Sequence, residues 1–177
     1  DNAGFGFSLS EYYSNYNGNT RVSYTDLYGA PVIDSIGKTV AIARAENTYS
    51  VPNSGFLGAG NTVRYSTELS DPSGCYDAST WTYTSRSPGQ YRVTAAITLA
   101  VAIGTRVRLA IVVNGTASTA RYHYATTANP CAYEIDAVVD VSAGAAITIN
   151  ADQNSAGAVS VTSNISANEN QLSVVQI

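Results

Sequence analysis

From Lys38 to the C-terminus, apolar and polar residues alternate in short runs separated by turn formers. Period two is the pattern of half-buried β-strands. Lys38 to Ala45 puts Val40 and Ile42 on one face. Thr62 to Leu69 sets Val63, Tyr65, Thr67 and Leu69 against Thr62, Arg64, Ser66 and Glu68. Thr80 to Thr84 predicts a short strand around Trp81. Gly89 to Ile103 carries Tyr91, Val93, Ala95, Ile97, Leu99, Val101 and Ile103 at strict period two, the strongest strand pattern in the chain. Arg106 to Val113 alternates Val107, Leu109, Ile111 and Val113 with Arg106, Arg108, Ala110 and Val112. Asn114-Gly115 follows, the dipeptide that best tolerates positive φ at both centres of a type I′ turn. It predicts a hairpin into Ser118 to Ala125. Ala132 to Val141, Ala145 to Ala151, Ala158 to Ile165 and Gln171 to Ile177 complete the set. No helical period of useful length appears. About ten short strands with frequent turns predict an all-β sandwich or barrel.

Residues 1–38 differ in character. Phe5, Phe7, Tyr12, Tyr13, Tyr16, Tyr24 and Tyr28 stand among Asn, Ser and Gly. A disordered linker is the bland reading, but so many aromatics argue for burial against something. An arm that packs on another subunit or another protein is the expectation, with residues 39–177 as the folded head.

Charge narrows the function. Only 12% of residues are charged, about half the usual share. The surface is therefore covered by Ser, Thr, Asn, Gln, Gly and Tyr and is weakly defended against association. Net charge is -4 and the pI about 4.8, with one lysine, Lys38, and no basic cluster. Nucleic acid needs a concentrated positive footprint, so it is excluded as a partner. Anionic membrane surfaces are disfavoured for the same reason, and no apolar stretch is long enough for a spanning helix. The chain starts at Asp1 and has no Met, which reads as a mature or trimmed product.

Candidate chemistry is thin. Cys75 and Cys131 lack metal-ligand spacing, and the single His123 cannot complete a zinc set. Two free thiols or one disulfide between turn-rich loops both fit. Glu134, Asp136 and Asp140 alternate on one strand face, but a solvated face explains them better than an acid–base pair. Glu68, Asp71 and Asp77 surround a turn and offer oxygen ligands to a cation; turn capping by the aspartates is the better reading. Asn15, Asn17, Asn19, Ser23 and Asp26 only faintly echo a calcium loop. His123 with Ser118 or Ser142 lacks a nucleophile elbow, and an aromatic strand, Tyr122-His123-Tyr124, at a subunit contact explains the histidine better. Asn114-Gly-Thr116 matches a glycosylation sequon, yet the hairpin accounts for it. No cofactor is expected. The loops Leu69 to Thr80 and Ala125 to Tyr133 are the first places to seek a receptor contact, because exposed Tyr and Asn suit sugar and protein recognition.

One ordered series of motifs resembles a known family. Val63-Arg64-Tyr65 leads through Glu68 to Asp71-Pro72-Ser73-Gly74-Cys75-Tyr76-Asp77. Then come Trp81-Thr82-Tyr83, Pro88-Gly89-Gln90-Tyr91-Arg92-Val93, the Asn114-Gly115 hairpin, Val141-Ser142-Ala143-Gly144 and an apolar terminal strand. The series, over about residues 39–177, resembles the globular head of complement's first component and its tumour-necrosis-factor-like relatives. Two departures stand out: Ala143-Gly144-Ala145 lacks the family's acidic residue, and Asn168-Glu169-Asn170 replaces its Phe-Ser-Gly. The resemblance implies a ten-stranded antiparallel jelly roll, a homotrimer around an aromatic and aliphatic axis, and a binding rather than enzymatic role. Candidates for that axis or for the core are Trp81, Tyr83, Tyr91, Val93, Ile97, Tyr122, Tyr124, Leu172 and Val174. Similar domains occur on bacteriophage fibres and virion surfaces. The lysine-poor, Ala/Thr/Ser/Asn/Tyr-rich composition and the lack of a collagen-like stretch favour that setting. The expectation is a trimeric virion surface protein, a head fibre, decoration protein or fibre tip. It is attached to other virion proteins by its N-terminal arm and faces a host-surface glycan or protein. The alternative is a secreted receptor- or glycan-binding adhesion module of the same fold.

Overall fold

The computed structural model describes residues 24–25, 31–33, 40–45, 49–53, 59–162 and 170–177. Contacts divide the chain into Asp1–Lys38 and Thr39–Ile177. In the first unit, β1 (Tyr24–Thr25) pairs antiparallel with β2 (Pro31–Ile33). Phe5, Phe7, Tyr12, Tyr13, Tyr16 and Tyr28, and the calcium-like Asn15 to Asp26 pattern except Tyr24 and Thr25, lie outside the described residues.

The second unit runs β3 (Val40–Arg44), β4 (Ser50–Val51), a 3-10 turn (Ala59–Asn61), β5 (Thr67–Ser70), β6 (Tyr76–Asp77) and β7 (Thr82–Thr84). It continues through β8 (Gly89–Leu99), β9 (Arg106–Val113), β10 (Thr116–Tyr124), β11 (Cys131–Val141), β12 (Ala146–Gln153), β13 (Val159–Ser160) and β14 (Gln171–Gln176). These form two five-stranded antiparallel sheets, β10-β9-β12-β7-β6 and β11-β8-β14-β3-β5, with β13 and β4 as a small extra pair. The strand order is that of a jelly-roll sandwich. The C-terminal strand β14 lies in the middle of its sheet, between β3 and β8. Its Leu172 and Val174 are fully buried, so the chain's last residues close the core.

Tyrosines fill much of that core. Tyr49, Tyr65, Tyr76, Tyr83, Tyr91 and Tyr133 are all buried. A buried phenol must place its hydroxyl. Tyr65 donates to the Ala96 carbonyl (3.1 Å), Tyr76 to the Tyr65 carbonyl (2.7 Å) and Tyr91 to the Ser87 carbonyl (3.0 Å). The first two tie a ring to the backbone of a distant segment, and the third ties Tyr91 to the turn just before its own strand. Asn170 does the same from a loop. Its Oδ1 accepts from the Thr98 amide (2.6 Å), its Nδ2 donates to the Thr162 carbonyl (2.8 Å), and its carbonyl accepts from the Ala45 amide (2.8 Å).

Several predicted strands are shorter in the structure. Residues 62–66 keep their alternation, with Val63 and Tyr65 fully buried, but only Thr62 forms a bridge, to Asn150, and the strand starts at Thr67. Leu69 is exposed. Trp81 is not in a strand: its φ of 56° makes it a turn residue ahead of β7. The long strand stops at Leu99, because Gly104 at φ 83° starts the turn into β9; Ile103 is left in solvent. Of the run from Ala158, the described residues hold the strand Val159–Ser160 and a bridge from Val161 to Leu99, and residues 163–165 lie outside the described residues. At Asn114-Gly115 the φ values are 48° and 78°, so the type I′ hairpin forms as its dipeptide demands.

Candidate functional site

The outer face of the sheet β11-β8-β14-β3-β5 is the first surface of interest. Val40 and Ile42 do share a face, but it is this outer one; Ala41 and Ala43 point into the core. Small side chains thus occupy the inward positions of β3 in a close-packed core. The branched residues stand outside, where they are half-buried. Strand register lines them up. Val138, Arg92, Val175 and Val40 form one cross-strand row. Asp136, Thr94, Ser173, Ile42 and Ser70 form the next. On this face, which also carries Glu134 and Asp140 on β11 and Arg44 on β3, Arg92 and Asp136 form an ion pair. Arg92 Nε donates to Asp136 Oδ1 (3.0 Å) and Nη2 to Oδ2 (2.7 Å), while Thr94 Oγ1 adds a third bond to Oδ1 (3.1 Å). These bonds, Arg92's first, hold the Asp136 carboxyl below its ordinary range. The carboxylate is thereby kept ionised and occupied, which suits a structural pair and not a general acid. Val138 beside it is an exposed large apolar residue.

The second surface belongs to β10, the edge strand of the opposite sheet. Tyr122 and Tyr124 are 56% and 65% exposed, so neither is core. The cause is one extra residue. Leaving the turn, Thr116 faces Val113 and Ala117 faces Val112; then a bulge between Ala117 and Thr119 shifts the register by one. A slip of one residue moves every later side chain to the other face. In the unbulged register Tyr122 would oppose Val107 on the core side. With the bulge it opposes Arg108, and Tyr124 opposes Arg106. His123 takes the inward position opposite Val107, where its ring meets Tyr133 edge-on at 5.8 Å. His123 Nε2 donates to the Glu134 carbonyl of β11 (2.9 Å), capping the neighbouring sheet's edge.

The remaining candidates separate. Tyr83, Tyr91, Val93, Ile97, Leu172 and Val174 belong to the subunit's own core, and Tyr83 and Tyr91 pack edge-on at 5.9 Å. Trp81 is half-buried. Cys75 and Cys131 are free thiols: Cys75 lies in the loop before β6 and Cys131 opens β11 in the other sheet. Burial pushes the Cys75 thiol up despite the nearby Arg86. Asp77 is spent on its own turn: it accepts from the Ser79 amide (2.8 Å) and hydroxyl (2.6 Å) and from Thr80 Oγ1 (2.9 Å), bonds that lower its pKa to about 2. Asp71 Oδ2 likewise accepts the Tyr76 amide (2.6 Å). Among the described residues no group of three His, Cys, Asp or Glu is placed to hold a metal. Neither serine reaches His123. Ser142 follows the end of β11, eight residues beyond Glu134, ~26 Å at the strand rise. Ser118 lies five residues from His123 along β10. Asn114 of the sequon uses its Oδ1 to accept the Ala146 amide (2.9 Å), joining the hairpin to β12.

Sequence reasoning missed Arg106 and Arg108 as surface partners of the two tyrosines. The alternation of Arg106 and Arg108 with apolar residues was legible, but the pairing depends on the bulge. Arg106 Cζ lies 5.8 Å and Arg108 Cζ 5.7 Å from the Tyr122 ring centroid.

No family profile and no curated protein matches the sequence. Solved structures do. A tumour necrosis factor, Eiger, from S. frugiperda is similar at 13% identity and TM-score 0.54 over 79% of this chain and 92% of that one. The globular domain of zebrafish complement 1qA is similar at 13% identity and TM-score 0.51 over 78% and 94%. Murine APRIL is similar at 10% identity and TM-score 0.57 over 80% and 100%. At these identities the likeness shows the fold: an all-β, antiparallel jelly roll of the tumour-necrosis-factor and C1q kind.

Proposed function

We propose that this chain is a non-enzymatic binding module that assembles as a homotrimer on a virion surface, attached through residues 1–38 and facing the host. One observation carries the assembly: on β3 the branched Val40 and Ile42 stand on the outer face of the sheet while the small Ala41 and Ala43 face the core. Val40, Ile42 and Val175 form a small apolar group beside the Arg92–Asp136 ion pair, with Val138 on the other side of Arg92, a mixed surface suited to an interface between copies. The shared fold of the three similar structures supports a binding role. The low charge of the chain and its single lysine support a particle-bound setting.

A second reading is a secreted receptor- or glycan-binding adhesion module. The animal sources of the three similar structures favour it. The two readings share the trimer and differ in the role of residues 1–38.

Light scattering coupled to size exclusion tests the assembly. The expected mass is three chains, falling to one in Val175→Glu and in Ile42→Glu. A wild-type monomer at micromolar concentration overturns it. Attachment is tested by mixing purified particles with the full chain and with residues 39–177. Unchanged attachment without residues 1–38 removes the arm's role.

A further inference from the structure

We propose that Arg106, Tyr122 and Tyr124 form a binding site for an acidic saccharide, a pyranose bearing a carboxylate or a sulfate. The proposal deepens the host-facing reading above, but the site lies within one subunit and does not need the trimer.

The bulge in β10 is what builds it, by placing two tyrosines beside two arginines on an outer face. Arg108 is already committed: it forms a two-pronged ion pair with Asp152, which is buried. Arg106 is different. It has no carboxylate partner among the described residues, and its buried Nε has no hydrogen-bond partner. Its backbone, however, is clamped on both sides. The Arg106 amide donates to Asn154 Oδ1 (2.6 Å), and the Asn154 amide donates to the Arg106 carbonyl (3.1 Å). A guanidinium with no carboxylate partner among the described residues thus stands on a clamped strand beside the Tyr122 ring. Such a fork matches a carboxylate or sulfate through two parallel hydrogen bonds.

Tyr122 and Tyr124 are two residues apart on the same face, so their rings are spaced ~7 Å along the strand. More than half of each is exposed. Phenol rings offer flat contact area at low entropic cost to the C–H face of a sugar. The surroundings select against a protein partner. A protein hot spot seats an aliphatic or aromatic anchor in a closed, desolvated pocket. Here the neighbouring outward residues of β10 are Ala120 and exposed polar positions, and the strip is open.

The test titrates the full chain with four probes by calorimetry: a galacturonate hexamer, its fully methyl-esterified form, a sulfated galactan hexamer and a glutamate hexapeptide. At least one anionic sugar is expected to bind, and the two anionic arms tell carboxylate from sulfate recognition. The ester is expected to bind at least tenfold more weakly than the galacturonate if that is the ligand. Arg106→Gln and Tyr124→Ala should each weaken sugar binding about tenfold, the loss of one charge-assisted contact or one stacked ring. Both variants should keep the wild-type melting temperature and mass, and Arg92→Gln should keep sugar binding. The proposal is overturned if neither anionic sugar binds, if Arg106→Gln binds as well as wild type, or if the glutamate peptide binds as tightly as the sugars. Sugar binding by a monomeric wild-type chain would sink the trimer and leave this site standing.

Discussion

The guanidinium of Arg64 lies 4.8 Å from the ring centroid of Trp81, whose backbone is held at φ 56°. The same guanidinium lies 5.9 Å from the Tyr49 ring, so one exposed arginine bridges two aromatics from separate loops. A bulky residue at positive φ carries roughly 1–2 kcal/mol of strain. The stack holds the indole there against that strain.

This arrangement distinguishes two substitutions at one position. Trp81→Ala loses the stack and keeps the strained backbone. Trp81→Gly loses the stack and relieves the strain. The glycine variant should therefore be the more stable of the two, by about 1 kcal/mol after its extra chain entropy is counted. Urea midpoints of the two variants measure the gap; an alanine variant at least as stable as the glycine one contradicts a strained Trp81.

At Gly115 the argument runs on backbone alone. Its φ is 78°, and a Cβ added there would meet nothing within 4 Å. Gly115→Ala should cost about 1 kcal/mol, entirely from the left-handed conformation. Replacement by Asn, which tolerates that region, should cost less. Equal midpoints for wild type and the alanine variant would show that the turn can relax.

Asn170 links three chain segments from a buried position. Asn170→Ala orphans the buried Thr98 amide and frees the Thr162 carbonyl. The expected loss is about 2 kcal/mol. Hydrogen exchange localises it: the Thr98 amide should exchange faster, well before the centre of β8.

Acid should weaken the fold partly through Asp136. Its carboxyl titrates lower in the folded state than the ordinary value of about 3.9, because Arg92 and Thr94 bond the ionised form. The unfolded chain therefore takes up this proton first. The contribution is complete above the unfolded value and disappears as pH falls through the lower folded value. Asp136→Asn should flatten the stability profile below about pH 4. The pair is exposed, so the effect is small and should shrink in high salt. A profile identical in wild type and variant contradicts the assignment.

The alternation in the chain by itself determined the all-β class, the positions of β8, β9, β11, β12 and β14, and the Asn114-Gly115 hairpin. Period-two burial and positive-φ turn chemistry are local, so they survive in a sequence read alone. Which face of β3 meets the core was not local. It depended on how β3 docks between β14 and β5, which puts Ala41 and Ala43 inside and Val40 and Ile42 outside. The fate of Tyr122 and Tyr124 was not local either. Their alternation is the same on either register, and only a one-residue bulge against β9 turned them outward to Arg106 and Arg108. Side-chain periodicity records that a strand has two faces; which one is inside is decided by what arrives from elsewhere in the chain to cover it.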